Sequence, residues 1–331
     1  MRASDLEFEG SDGMEYGMKR TYNRAGWIYT IFFLVSLAVQ FIAASLLRKM
    51  GIVTEENSLF FSTILNGVSM YGIAFFICRA MFLRIPVCQG GVQQERWGLG
   101  KCLLYFLICL SFMYIGNMIG NALMMFTGIM TGRGMPSNHL TEIVMESSVW
   151  LNLLVMVVLA PVVEEWMFRN FLLDRIAGFG QLGAAFLSAF LFALAHGNFY
   201  QFFYAFGLGF LFAYLYMKTG KIKYCIVFHM GINFMGSVVA PELVKWQIAS
   251  EKKGVMMQLI ATMCVGTYGL LLLGCVVAGI VLLICNRKQI SFLSGQEKQK
   301  KGDDWKAMIL SPGIWVYVSI CVILFVQSVF I

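Results

Sequence analysis

The run "YGLLLLGCVVAGIVLLIC", residues 268 to 285, passes through eighteen positions without a charged side chain. A helix rises about 1.5 Å per residue, so roughly 20 apolar residues cross a hydrocarbon core about 30 Å thick. Runs of this kind recur along most of the chain. Only 13% of its residues are charged and 59% are hydrophobic, against about 25% charged in a soluble domain. In lipid no water satisfies a bare amide, so each run must bond its own backbone as a helix. The alternating pattern of a membrane barrel is absent. These features predict an all-α polytopic membrane protein of about 8–9 transmembrane helices.

Spans are expected near residues 26 to 47, 58 to 83, 102 to 127, 148 to 172, 182 to 198, 199 to 217, 222 to 240, 256 to 285 and 310 to 330. Residues 1–25 then form a polar tail, and 26–331 a single transmembrane helical domain. Lysine and arginine favour cytoplasmic connections. Most of the 25 basic residues fall in the tail and the even-numbered loops, most densely at Arg287, Lys288, Lys298, Lys300, Lys301 and Lys306. The expected orientation is therefore N-terminus cytoplasmic and C-terminus outside. The net charge of +7 needs no nucleic acid, because anionic headgroups reward basic residues by about 1 kcal/mol each. The tail lacks a signal-peptide pattern, so the first helix is expected to stay attached. Nine cysteines, odd in number and without a CxxC pair, read as packing residues rather than a disulfide or zinc framework. "GNMIG" at 116 to 120 is a candidate close approach between helices.

Ionisable groups at membrane depth cost at least about 2.5–3.5 kcal/mol each, so they mark functional candidates. Four places stand out: Glu164; Glu165 with Arg169 in "EEWMFRN"; His196 in "FALAHGN"; and His229 with Asn233 in "FHMGIN". Residues four apart share a helix face, so Glu165 and Arg169 can pair within the helix. Glu164 lies about 100° around and keeps no such partner. Pro161, one turn earlier, cannot donate a backbone hydrogen bond and tends to kink the helix, opening space for water. Phe192 with His196, and His229 with Asn233, repeat the spacing of four. A carboxylate and a histidine can hold and deprotonate water, while a second histidine and an amide donate to an oxyanion. Glu164, His196 and His229 equally resemble a zinc set with a position left for water, although the HExxH pairing is missing. His139, in the loop "GRGMPSNHLTE", reads as an ordinary exposed histidine.

EExxxR, FxxxH and HxxxN in this order resemble the three-motif signature of the CAAX protease and bacteriocin-processing family of intramembrane endopeptidases. The resemblance covers about residues 160 to 235 and implies a protease-like core at about 148–240. It implies that Glu164 acts with His196 on water, that His229 and Asn233 stabilise the oxyanion, and that Glu165 and Arg169 support the site. The expected substrate is a membrane-associated peptide or protein, with lipidated CAAX-type ends as one class. The expected location is a cell membrane, by resemblance a bacterial plasma membrane. Catalysis by glutamate alone and catalysis by a divalent metal such as zinc both stay open. So do two other readings: a non-catalytic immunity or binding protein, and a proton-coupled transporter. Counted from the span ends above, Glu164 lies about 8 residues deep and His196 about 14, an unequal depth for two groups meant to meet.

Overall fold

The computed structural model describes residues 11–295 and 302–330, and its elements are all helical. Residues 1–10 of the expected tail and Lys298, Lys300 and Lys301 of the basic cluster lie outside the described residues. In chain order the helices are α1 (Ser11–Lys49), α2 (Phe60–Phe82), α3 (Leu99–Thr131), the short α4 (His139–Glu146), α5 (Val149–Phe179), α6 (Gln181–Ala195), α7 (Phe199–Thr219), α8 (Ile222–Lys253), α9 (Val255–Gln289), the short α10 (Asp303–Ile309) and α11 (Pro312–Phe330). Among the described residues, eight helices are long and apolar enough to cross a membrane, all but α4, α6 and α10.

Two expectations change. First, residues 11–25 are not a free tail. They extend α1 by about four turns, and Met18, Tyr22 and Ala25 are buried. The partners come from the far end of the sequence: Ser311 Oγ donates to the Lys19 carbonyl at 3.2 Å, Gly313 N to Asn23 Oδ1 at 2.7 Å, and Lys306 pairs with Glu15 at 3.0 Å. A Cβ on Gly26 would overlap the backbone of Gly313, so only glycine permits this approach of α1 to α11. These contacts advance together along both helices, so α1 and α11 run parallel. The start of α1 and the end of α11 therefore point to opposite ends of the bundle, because the short α6 reverses the chain once more between the eight long helices.

Second, the expected span at 182–198 is a 15-residue helix, α6. Its rise of about 22 Å falls short of the roughly 30 Å hydrocarbon core. Gly197, at φ +66°, turns the chain, and the Asn198 side chain accepts from Gln201 N to start α7. α6 and α7 thus form a hairpin whose tip carries His196. α5 also runs on to Phe179 rather than stopping at 172. Glu164 accordingly stands fifteen residues before Phe179, and His196 fifteen after Gln181. The unequal depths become equal, about 22 Å from the same end of the bundle.

That end is stitched by loops. Cys88 N donates to Asp174 O at 2.8 Å, Gln93 N to Met217 O at 2.6 Å and Glu95 N to Lys218 O at 2.9 Å. Gln181 ties two loops together, giving Nε2 to Gly91 O at 2.9 Å and accepting Leu293 N at Oε1 at 2.7 Å. The GNMIG reading holds: Cβ atoms on Gly116 or Gly120 would meet the backbone of α7 between Phe199 and Tyr204.

Candidate active site

α5 carries the first motif on an irregular helix. Widened, π-helical turns at Leu153–Leu159 and Trp166–Phe171 flank the regular turn Ala160–Glu165, with Pro161 buried in it. A widened turn shifts the backbone bonding register and leaves carbonyls for outside donors. Three side chains fill that need. Asn233 Nδ2 donates to Met156 O at 2.8 Å, Tyr29 OH to Met167 O at 3.0 Å and Ser188 Oγ to Phe168 O at 2.7 Å.

Glu165 and Arg169 are fully buried and pair one turn apart, Nε to Oε2 at 3.2 Å. That contact is an ion pair rather than an aligned hydrogen bond, since neither atom has a hydrogen-bond partner of proper geometry. The other Glu165 oxygen, Oε1, lies 2.8 Å from His229 Nδ1. The guanidinium lies over the Phe192 ring, 4.4 Å from its centroid, and 5.6 Å from that of Phe212. Ring quadrupoles attract a cation most strongly where water is excluded. Phe192, the aromatic residue of FxxxH, therefore has a physical role: it covers Arg169, and its ring stands perpendicular, at 89°, to those of His196 and His229.

His229 Nε2 lies 3.8 Å from Glu164 Oε2. Glu164 itself keeps 21% of its side chain exposed and opens, with His196, into a cavity of about 60 Å³. The cavity is walled by Phe32 of α1, Met70 and Tyr71 of α2, residues of α5, and Phe192 and Ala195 of α6. It has room for water, and it is far below the roughly 300–1,000 Å³ of a site that holds a ligand. His196 Nδ1 is 2.9 Å from the Phe192 carbonyl. A carbonyl only accepts, so Nδ1 carries the proton and Nε2 is left with a free lone pair.

The structure therefore joins Glu164, Glu165, Arg169, His196 and His229 at one place. Asn233 is set apart: it holds the turn at Met156 and does not line the cavity. His139 is exposed, beside Glu142. A zinc site would need Glu164, His196 and His229 to close on one point. Among the described residues, no three His, Cys, Asp or Glu side chains are placed to hold a metal ion. Tyr71 and Tyr29 escape sequence reasoning because each reaches the site from a helix that carries no motif, and Ser188, on the motif helix α6, because a neutral hydroxyl bonded to a carbonyl gives no charge signal.

No curated protein and no solved structure matches the chain. Residues 146–235, the stretch that holds all three motifs, match the family model of type II CAAX prenyl endopeptidase Rce1-like proteins.

Proposed function

We propose that the protein is an intramembrane endopeptidase in which Glu164 activates water for attack on a peptide bond. The observation that carries this reading is the pairing of two proton acceptors, the Glu164 carboxylate and His196 Nε2, on one water-sized cavity within a helical bundle. A water between them gives both its protons toward acceptors and turns a lone pair to the incoming carbonyl carbon. Glu164 takes the proton as the carbon–oxygen bond forms, and returns it to the amide nitrogen as the carbon–nitrogen bond breaks. His229 stands behind Glu164, with its Nδ1–H fixed by Glu165, and Arg169 neutralises Glu165. Each charge is thus held by the next, which restrains the Glu164 side chain. The proposed step is written without a metal, a reading supported by the placement of Glu164, His196 and His229, and the chelator arm below tests it.

The proposed substrate is a membrane-associated peptide or protein, with a lipidated end as the first class to test. Because the cavity fits only water, the substrate has to part the wall that α2 forms over α5 and α6. The proposed setting is a bacterial plasma membrane. The test compares wild type with Glu164→Gln in detergent on quenched peptides, lipidated and plain, with and without a chelator. Cleavage should fall by about 10²–10⁴-fold in the variant and persist with the chelator. Equal cleavage by both proteins would overturn the role of Glu164, and loss with the chelator would restore a metal.

A further inference from the structure

We propose that Tyr71 is a catalytic residue, whose hydroxyl donates the hydrogen bond that receives the developing oxyanion. This rests on the proteolytic reading above and assigns a role to a helix outside the segment that matches the family. Three of the residues lining the cavity carry a polar side chain: Glu164, His196 and Tyr71. The first two present acceptors. A tetrahedral intermediate needs a donor, and the Tyr71 phenol is the O–H of that wall. It shares the wall of the cavity with Glu164 and His196, so it sits beside the point where water is activated.

The other donors nearby do not line the cavity. Asn233 spends an amide hydrogen on Met156 O, and His229 Nδ1 faces Glu165. Arg169 is fully buried behind Phe192 and is not part of the wall. The backbone gives a second, independent sign. Tyr71 lies in the π-helical turn Val68–Ala74 of α2, and such turns gather at functional sites. The other widened turns among the described residues are the two flanking Glu164 and one at Met235–Val239, which starts two residues after Asn233. Tyr71 thus belongs to the same set of distorted turns as the motif residues.

In the step itself, water oxygen attacks the carbonyl carbon and its proton passes to Glu164. The carbonyl π electrons move to oxygen, which accepts the Tyr71 O–H hydrogen bond. On collapse the electrons return, the carbon–nitrogen bond breaks, and the Glu164 proton goes to the leaving nitrogen. Tyr71 keeps its proton throughout, so a donor and not an acid is required.

Tyr71→Phe removes this one oxygen and keeps the ring. On a cleaved peptide, kcat should fall by roughly 10²–10³-fold, while KM and thermal midpoint stay at wild-type values. A packing role would shift the midpoint or KM and spare kcat. A peptidyl difluoroketone, hydrated to a tetrahedral gem-diol, supplies a readout without turnover. Wild type should bind it more tightly than the parent amide, and Tyr71→Phe should lose that preference. Wild-type kcat in Tyr71→Phe alongside an inactive Glu164→Gln would overturn this inference alone. A wild type that neither cleaves nor prefers the difluoroketone would overturn the proteolytic reading with it.

Discussion

The segment from 146 to 235 and the helices outside it solve different problems. In the most apolar stretch of α7, inside the segment, 61% of residues are buried, whereas in α9, outside it, only 17% are. α7 is surrounded by helices, and α9 turns most of its sides outward. Chemistry in the inner segment is written in pairs four residues apart. The outer helices contribute single residues that reach inward: Tyr29 and Phe32 from α1, Met70 and Tyr71 from α2. The inner segment therefore carries the ionisable groups of the cavity, and the outer helices complete its wall.

The largest effect expected outside the reacting atoms lies in the inner segment. Glu165→Gln leaves the Arg169 cation buried, with two aromatic faces but no carboxylate. Removing one partner of a buried pair costs about 3–5 kcal/mol, so the variant should unfold at a clearly lower temperature in detergent. Replacing both residues with apolar side chains of similar size should cost less than the single change. A single variant as stable as wild type would show that Arg169 is held by the rings alone.

A smaller effect tests the reach of the outer helices. Tyr29→Phe deletes the hydrogen bond to the Met167 carbonyl, which crosses 138 residues of sequence. About 1 kcal/mol of stability should be lost, and turnover should drop as the widened turn carrying Arg169 loosens. If both quantities stay at wild-type values, the inner segment holds its irregular helix unaided and the division drawn here is too sharp.

Legibility in the sequence follows the same line. Glu165, Arg169, His196 and His229 are readable because a spacing of four fixes a shared helix face without knowledge of any other helix, and Glu164 because it is a charge at membrane depth without such a partner. The runs that become α2, α3 and α9 were readable because lipid demands length and apolarity locally. α1 is longer than its apolar run implies, because Lys19 and Asn23 look like tail residues until Ser311 and Gly313 arrive. α6 was read too long because apolar residues continue into Phe199 and Tyr200, and only Gly197 and Asn198 mark the turn between two helices. Asn233 was paired with His229 by spacing, yet its partner is a carbonyl freed by a widened turn, a backbone feature with no composition signal. Tyr71 has no motif at all; it matters through what stands opposite.

The smallest effect concerns the loop that closes the end of the bundle. Glu95 Oε2 accepts from Lys101 Nζ at 2.9 Å and from the Trp97 indole at 3.1 Å. The Lys101 hydrogen bond chiefly, with help from Trp97 and against partial burial, holds the Glu95 carboxyl below its ordinary value of 4.5. A depressed folded-state pKa gives stability that is present above the unfolded value and lost as pH falls through the folded one. The contribution is therefore complete at neutral pH and fades below about pH 4.5. Because the Glu95 side chain is 41% exposed, solvent screens it and the effect is slight. Melting curves of wild type and Glu95→Gln should differ a little at pH 7 and converge as the pH falls through the folded-state value. A gap that stays constant with pH would assign the closure to the backbone bonds of Gln93 and Glu95, leaving the ion pair no part in it.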